Sequence, residues 1–254
     1  PLHLPDADLP LDPYVLGAWL GDGKHTSSEI TGLPDSGVWK EILRRGFRLG
    51  KPQAKQGTTA VSQSVLGIRK HFTSLGLLGN KHIPPAYLRG SVQQRLDLLR
   101  GLMDTDGTVN KPKKSVQLTT TDPEMARSVL ELLVSLGERG HISKVTRRGF
   151  GTSTVAHDVV WTPALFNPFT DARKVARCEQ FIRSTGRNTH RIIVGCEPAE
   201  SVPTQCIGVD SPDSTYLCTD SMLVTHNSGK WKMINGYPHY AQAYATQLAI
   251  YAGA

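Results

Sequence analysis

The sequence predicts an α+β fold made of two related halves, and three observations carry that expectation. Two apolar runs, VLGAWLGDG at 15–23 and LLRGLMDTDG at 98–107, both end in Asp-Gly. They lie 84 residues apart when Gly17 is set on Gly101, Asp22 on Asp106 and Gly23 on Gly107. A similar series of strand-like and helical stretches follows each run, as an internal duplication requires. Positive charge is concentrated in one part of the chain: residues 111–191 hold 14 Lys/Arg against 7 Asp/Glu, which equals the whole net charge of +7.

Taken in order, residues 1–13 (PLHLPDADLPLDP) are punctuated by proline and have neither a basic n-region nor an apolar h-region. They read as an extended linker, not a signal peptide. Each Asp-Gly run reads as a helix that stops at its glycine. Gly17 and Gly101 fall inside these helices, where glycine costs about 1 kcal/mol relative to alanine. A bare helix face at those points lets another backbone come close. SSEITGL (27–33) and TTAVSQSV (58–65) read as strands, and GIRKHFTSLGLL (67–78) as a helix. In the second half SVQLTTT (115–121) is a strand and TDPEMARSVLELLVSLG (121–137) a helix with proline near its start. ISKVTRR (142–148) and STVAHDVVW (153–161) then alternate as strands.

A surplus of basic residues favours an acidic partner, of which nucleic acid is the commonest, the plainer alternative being a solvated basic face. No run approaches the roughly 20 apolar residues of a membrane span, so no membrane partner is expected. Cysteines 178, 196, 206 and 218 fit no C-x-x-C zinc pattern, and a cytoplasmic protein with reduced thiols is expected.

LRGLMDTDG (99–107) and VLGAWLGDG (15–23) resemble the paired motifs of the LAGLIDADG homing endonucleases, and NKHIPPAYLRG (80–90) is similar to the Lys-x-Ile-Pro block that precedes the second motif. The resemblance implies a pseudo-two-fold endonuclease over 14–186, with two αββαββα-like repeats at about 14–90 and 91–186. It implies double-stranded DNA as the partner, and that Asp22 and Asp106 converge as catalytic metal ligands, with Lys81 as the matching catalytic lysine. Two carboxylates can hold the divalent ions that phosphodiester hydrolysis needs, and hard oxygen ligands suit Mg²⁺. The alternative is a catalytically inactive DNA-binding module of the same fold, its acids serving only as helix caps, with a degenerate splicing remnant.

Residues 187–227 resemble the C-terminal half of the all-β Hint splicing domain of inteins, through QCIGVD (205–210) and YLCTDSMLVTHN (216–227). In that reading the amide of Asn227 attacks its own carbonyl and cuts the chain before Ser228. His226 assists as general acid, and Ser228, the first extein residue, receives the transferred chain. Cys206 stands where most inteins carry Asp. Together with Thr225 it resembles the class 3 inteins, which start from this internal thiol, although some ordinary inteins share the Cys. Ser214 stands where many inteins have a histidine. The resemblance implies a further partner, the N-terminal intein and extein half. TVAH at 154–157 spells that half's Thr-x-x-His but lies on a strand after both Asp-Gly motifs.

Residues 228–254 read as a C-extein fragment. Its expected helix carries Gln247 and Tyr251 in QLAIY, which resembles the Gln-x-x-x-Tyr helix of RecB-type nucleases, and Ser228–Gly229–Lys230 is similar to the loop after their metal-binding strand. A P-loop is excluded because Trp231, not Ser or Thr, follows Lys230.

Overall fold

The computed structural model describes residues 1–149 and 152–182, short stretches between 195 and 226, and the pairs 233–234 and 237–238. It divides into two units, Pro1–Thr185 and Gly186–Ala254.

The first unit is built around α1 (Pro13–Asp22), whose residues Tyr14 to Leu20 are all buried. A helix that is apolar on every side has to lie inside the core, which explains why VLGAWL shows no amphipathic period. Asp12 caps its N-terminus by accepting from the Val15 amide, with Pro13 at the first helical position. β1 (Glu29–Gly32) follows, then α2 (Gly37–Arg44), β2 (Gln53–Ala54), β3 (Val61–Ser64), α3 (Arg69–Ser74) and α4 (Pro85–Leu88). The first sheet has the order β1-β3-β2, all antiparallel.

The second half starts with α5 (Val92–Thr105), opened by a capping box of Ser91 and Gln94. β4 (Gly107–Asn110), β5 (Ser115–Thr120), α6 (Pro123–Ser135), β6 (Gly140–Gly149), β7 (Thr152–Trp161) and α7 (Ala172–Ile182) complete it. Its sheet runs β4-β5-β7-β6, antiparallel throughout. Val116, Leu118, Val159 and Trp161 alternate into the core on one face, and α6 packs against that face. The second half is therefore αββαββα. In the first, the leading strand shrinks to a single bridge, Gly23 to Ile30, where the second pairs Gly107 with Leu118.

Two helices correct the sequence reading. α2 stands between β1 and β2, where only strands were expected, so the helix at 69–74 is not the first one after α1. α7 was absent from the reading altogether. The N-terminal segment is also more than a tether. Tyr87 Oη bonds both the amide and the carbonyl of Leu11, Gln94 does the same for Ala7, and Arg95 donates to the carbonyls of Gly90 and Leu2.

In the second unit β8 (Thr215–Cys218) and β9 (Leu223–His226) form an antiparallel hairpin. β10 (Met233–Ile234) pairs with β11 (Tyr237–Pro238).

Candidate active site

The site begins with how closely α1 and α5 approach. A Cβ on Gly17 would fall on the Leu98 carbonyl and within 3.1 Å of the Gly101 Cα; one on Gly101 would lie 2.7 Å from the Ala18 amide. The two helices thus touch backbone to backbone, which only glycine allows. The same closeness recurs one turn on, where Gly21 faces Thr105. Asp22 ends α1 and Asp106 caps the C-terminus of α5. The helix pair therefore brings both carboxyl groups into one site, close enough for the charge of one to act on the other.

A lysine attends each helix end. Lys81 Nζ donates to the carbonyls of Leu20 and Gly21, both at 3.0 Å, and stands 5.1 Å from the Trp19 ring centroid. Lys174 Nζ donates to the carbonyls of Met103 (2.8 Å), Asp104 (2.7 Å) and Thr105 (3.1 Å). In the duplicated numbering Leu20 corresponds to Asp104 and Gly21 to Thr105, so the two ammonium groups bind equivalent carbonyls. Both answer the partial negative charge of a helix C-terminus. Lys174 is the functional residue that sequence reasoning missed. It has no Lys-x-Ile-Pro block around it, and only its place near the start of an amphipathic helix hinted at a fixed position.

The electrostatics follow from four charges in a confined space. Burial first, and then the Asp106 carboxylate, push Asp22 up to about 6, against the pull of Lys174 and Lys81. Asp22 and Asp106 both lie at the exposed rim of the site, and Asp106 is raised in the same direction by desolvation, with both lysines opposing. Burial lowers Lys81 and Lys174, while the neighbouring carboxylates hold their protons on. Two carboxylates pressed together need a proton or a cation between them. Among the described residues no cluster of three or more His, Cys, Asp or Glu side chains could hold a metal. A pair of carboxylates is nonetheless the protein share that Mg²⁺ commonly takes, the rest being water and phosphate, so the residues fit a divalent ion.

The second half has a buried brace that the first lacks. Asp104, 6% exposed, accepts from Tyr14 Oη at 2.8 Å, from the Thr170 amide and hydroxyl, and from the Asp171 amide at 3.0 Å. Asp171 in turn caps α7 through the amides of Arg173 and Lys174, and its other oxygen accepts from the Gly37 amide at the start of α2. The brace ties α5 to the segment that carries Lys174. Leu20 holds the equivalent place in the first half.

Of the residues expected to act in splicing, Thr225 lies half-buried on β9, opposite Tyr216, and His226 ends that strand, opposite Thr215. Cys206, Asn227 and Ser228 lie outside the described residues, as do Gln247, Tyr251 and the Ser228–Lys230 loop. His157 is on β7 and buried. Cys178 is buried as a free thiol, its ionisation pushed up to about 12 by desolvation.

Among solved structures, the chain is similar to I-DmoI in complex with DNA and Mn, 16% identical over 69% of this chain and 97% of that one, with a TM-score of 0.40. It is also similar to full-length DUF199/WhiA from Thermatoga maritima, 10% identical over 71% of this chain and 63% of that one, with a TM-score of 0.43. A curated relative, the replicative DNA helicase DnaB of Mycobacterium intracellulare, is 35% identical over 228 residues, 89% of this chain. The chain spans 37% of that relative's length. Residues 93–199, which include Asp106 and Lys174, match the family model of the LAGLIDADG-like domain.

Proposed function

We propose that Pro1–Thr185 is a divalent-metal-dependent DNA endonuclease and that it belongs to an intein. The observation that carries the first part is the convergence of Asp22 and Asp106 at the ends of two helices in backbone contact, each with a lysine on its terminal carbonyls. Asp22 and Asp106 would hold Mg²⁺, which supplies an activated water and charge neutralisation at the leaving oxygen. Lys81 and Lys174 are held in place by the helix ends, so each can face the charge that develops on a phosphate without reorganising. A helix-capping role alone does not require two acids to be brought within each other's field, which disfavours the inactive-module reading.

The intein reading draws on the helicase match. A stretch of 228 residues in a chain of 254 has to run through the Asp106 motif. A replicative helicase that shares this segment is best understood as the host of an inserted element. The RecB-type nuclease remains our reading of the 228–254 tail, on the residues Gln247 and Tyr251 and the Ser228–Gly229–Lys230 run.

Cleavage is tested on a randomised duplex library with Mg²⁺. The parent protein is expected to cut a defined subset and Asp22→Asn to cut none; Lys174→Met is expected to lose about 10²–10³ in rate with binding retained. Equal cleavage by the parent and Asp22→Asn would sink the assignment. For splicing, mass spectrometry after incubation near neutral pH should find the 27-residue fragment starting at Ser228. It should vanish in Asn227→Ala and slow by about 10²–10⁴ in His226→Ala.

A further inference from the structure

The open face of the second sheet carries an arrangement that the cleavage chemistry does not use. The register sets Asp158 opposite Thr119 on β5 and Ser143 on β6. These residues lie on the face opposite the one that buries Val116, Leu118, Val159 and Trp161. An aspartate on an open sheet face is ordinarily solvated, yet Asp158 is 6% exposed. Its oxygens are taken by Thr119 Oγ1 at 2.7 Å and by Arg147 Nη2 at 3.0 and 2.8 Å. Thr119 is itself fixed by Gln117 Nε2 at 2.9 Å. The Arg147 side chain remains 51% exposed. Only its Nη2 meets the carboxylate; among the described residues Nε and Nη1 have no protein partner.

A surface ion pair of this kind contributes little stability. Its geometry does something else. One edge of the guanidinium is pinned by a buried acid, itself pinned by a threonine and a glutamine from the neighbouring strand. Nη2 carries two hydrogens and is shared by both bidentate edges of the guanidinium, and the side chain stays half open to solvent. An arginine held in this way can offer an edge made of an Nη2 hydrogen and its neighbouring donor to the O6 and N7 acceptors of guanine, and the anchoring carboxylate reduces the ordering cost that a free side chain would incur. A phosphate contact needs charge but no such alignment.

We propose that Arg147 is a base-reading residue that selects guanine, and that Asp158 is its positioning residue. This rests on the reading of the first unit as a DNA-binding endonuclease. Random-duplex selection by the full chain, with Ca²⁺ in place of Mg²⁺ to suppress cutting, tests it. The parent should enrich a motif with a guanine at one or two adjacent positions. Arg147→Ala should lose about 5- to 150-fold of the preference at that position and keep the rest of the motif. Arg147→Lys, which keeps the charge and loses the fork, should lose the same preference. Asp158→Asn should weaken it partially. If Arg147→Lys keeps the guanine, or if Arg147→Ala weakens every sequence alike and lowers the salt slope by about one, Arg147 is a phosphate contact and the proposal fails. A parent protein that enriches no sequence would overturn the DNA reading itself, a result distinct from a parent motif that ignores Arg147.

Discussion

At the scale of single residues, the site is a strained balance of charge. Asp22 is raised from 3.8 to about 6 by burial and by Asp106, so the folded protein binds a proton there more readily than the unfolded chain. A carboxyl raised in this direction destabilises the fold above about pH 6, and the cost fades as pH falls toward 4. Without divalent metal at pH 7.5, Asp22→Asn should therefore be at least as stable as the parent, with the gain kept small because water screens the exposed carboxylate. Adding Mg²⁺ should raise the parent's Tm and leave that of Asp22→Asn nearly unmoved. Thermal denaturation with and without metal checks both statements, and equal metal shifts in the two proteins would count against Asp22 as a ligand.

At the scale of elements, the α1–α5 contact tolerates no side chain. Gly101→Ala should destabilise by about 3 kcal/mol or more in urea unfolding, because the added methyl meets backbone that cannot move aside. The Asp104 brace makes a separate prediction. Asp104→Asn leaves shape intact but weakens the grip on the Thr170 and Asp171 amides. It should cost about 1–3 kcal/mol and reduce cleavage with little change in DNA affinity, as seen by comparing turnover with equilibrium binding. The glycines and acids of α1 and α5 were legible in the sequence because helix, stop and repeat are local features. α2 was not: it is an eight-residue helix opening on Gly37, and its only signals were Ser36 as a cap and the spacing of Val38, Trp39 and Ile42. Lys174 was not legible either, since its role depends on meeting carbonyls about 70 residues away in the chain. Lys81 was found through its neighbours Ile83 and Pro84, not through the carbonyls it binds.

At the scale of the whole molecule, charge sets affinity. If the surplus on residues 111–191 contacts about 6–8 phosphates, log K should fall against log salt with a slope near −5 to −7. A flat salt titration would remove the DNA reading. That surplus falls in and after the second half, and the two halves differ in build as well. One sheet has three short strands and a lone bridge at Gly23; the other has four strands, two of them ten residues long. One half carries Leu20 where the other carries Asp104. A symmetric protein imposes its symmetry on the DNA it grips, and its sites read the same on both strands. Here the long hairpin and the truncated sheet present different side chains and different reach to the duplex. The preferred sequence should therefore not be a palindrome, and a duplex that carries either half-site twice as an inverted repeat should be bound more weakly than the two different halves together, where a two-fold reader would bind the inverted repeat best.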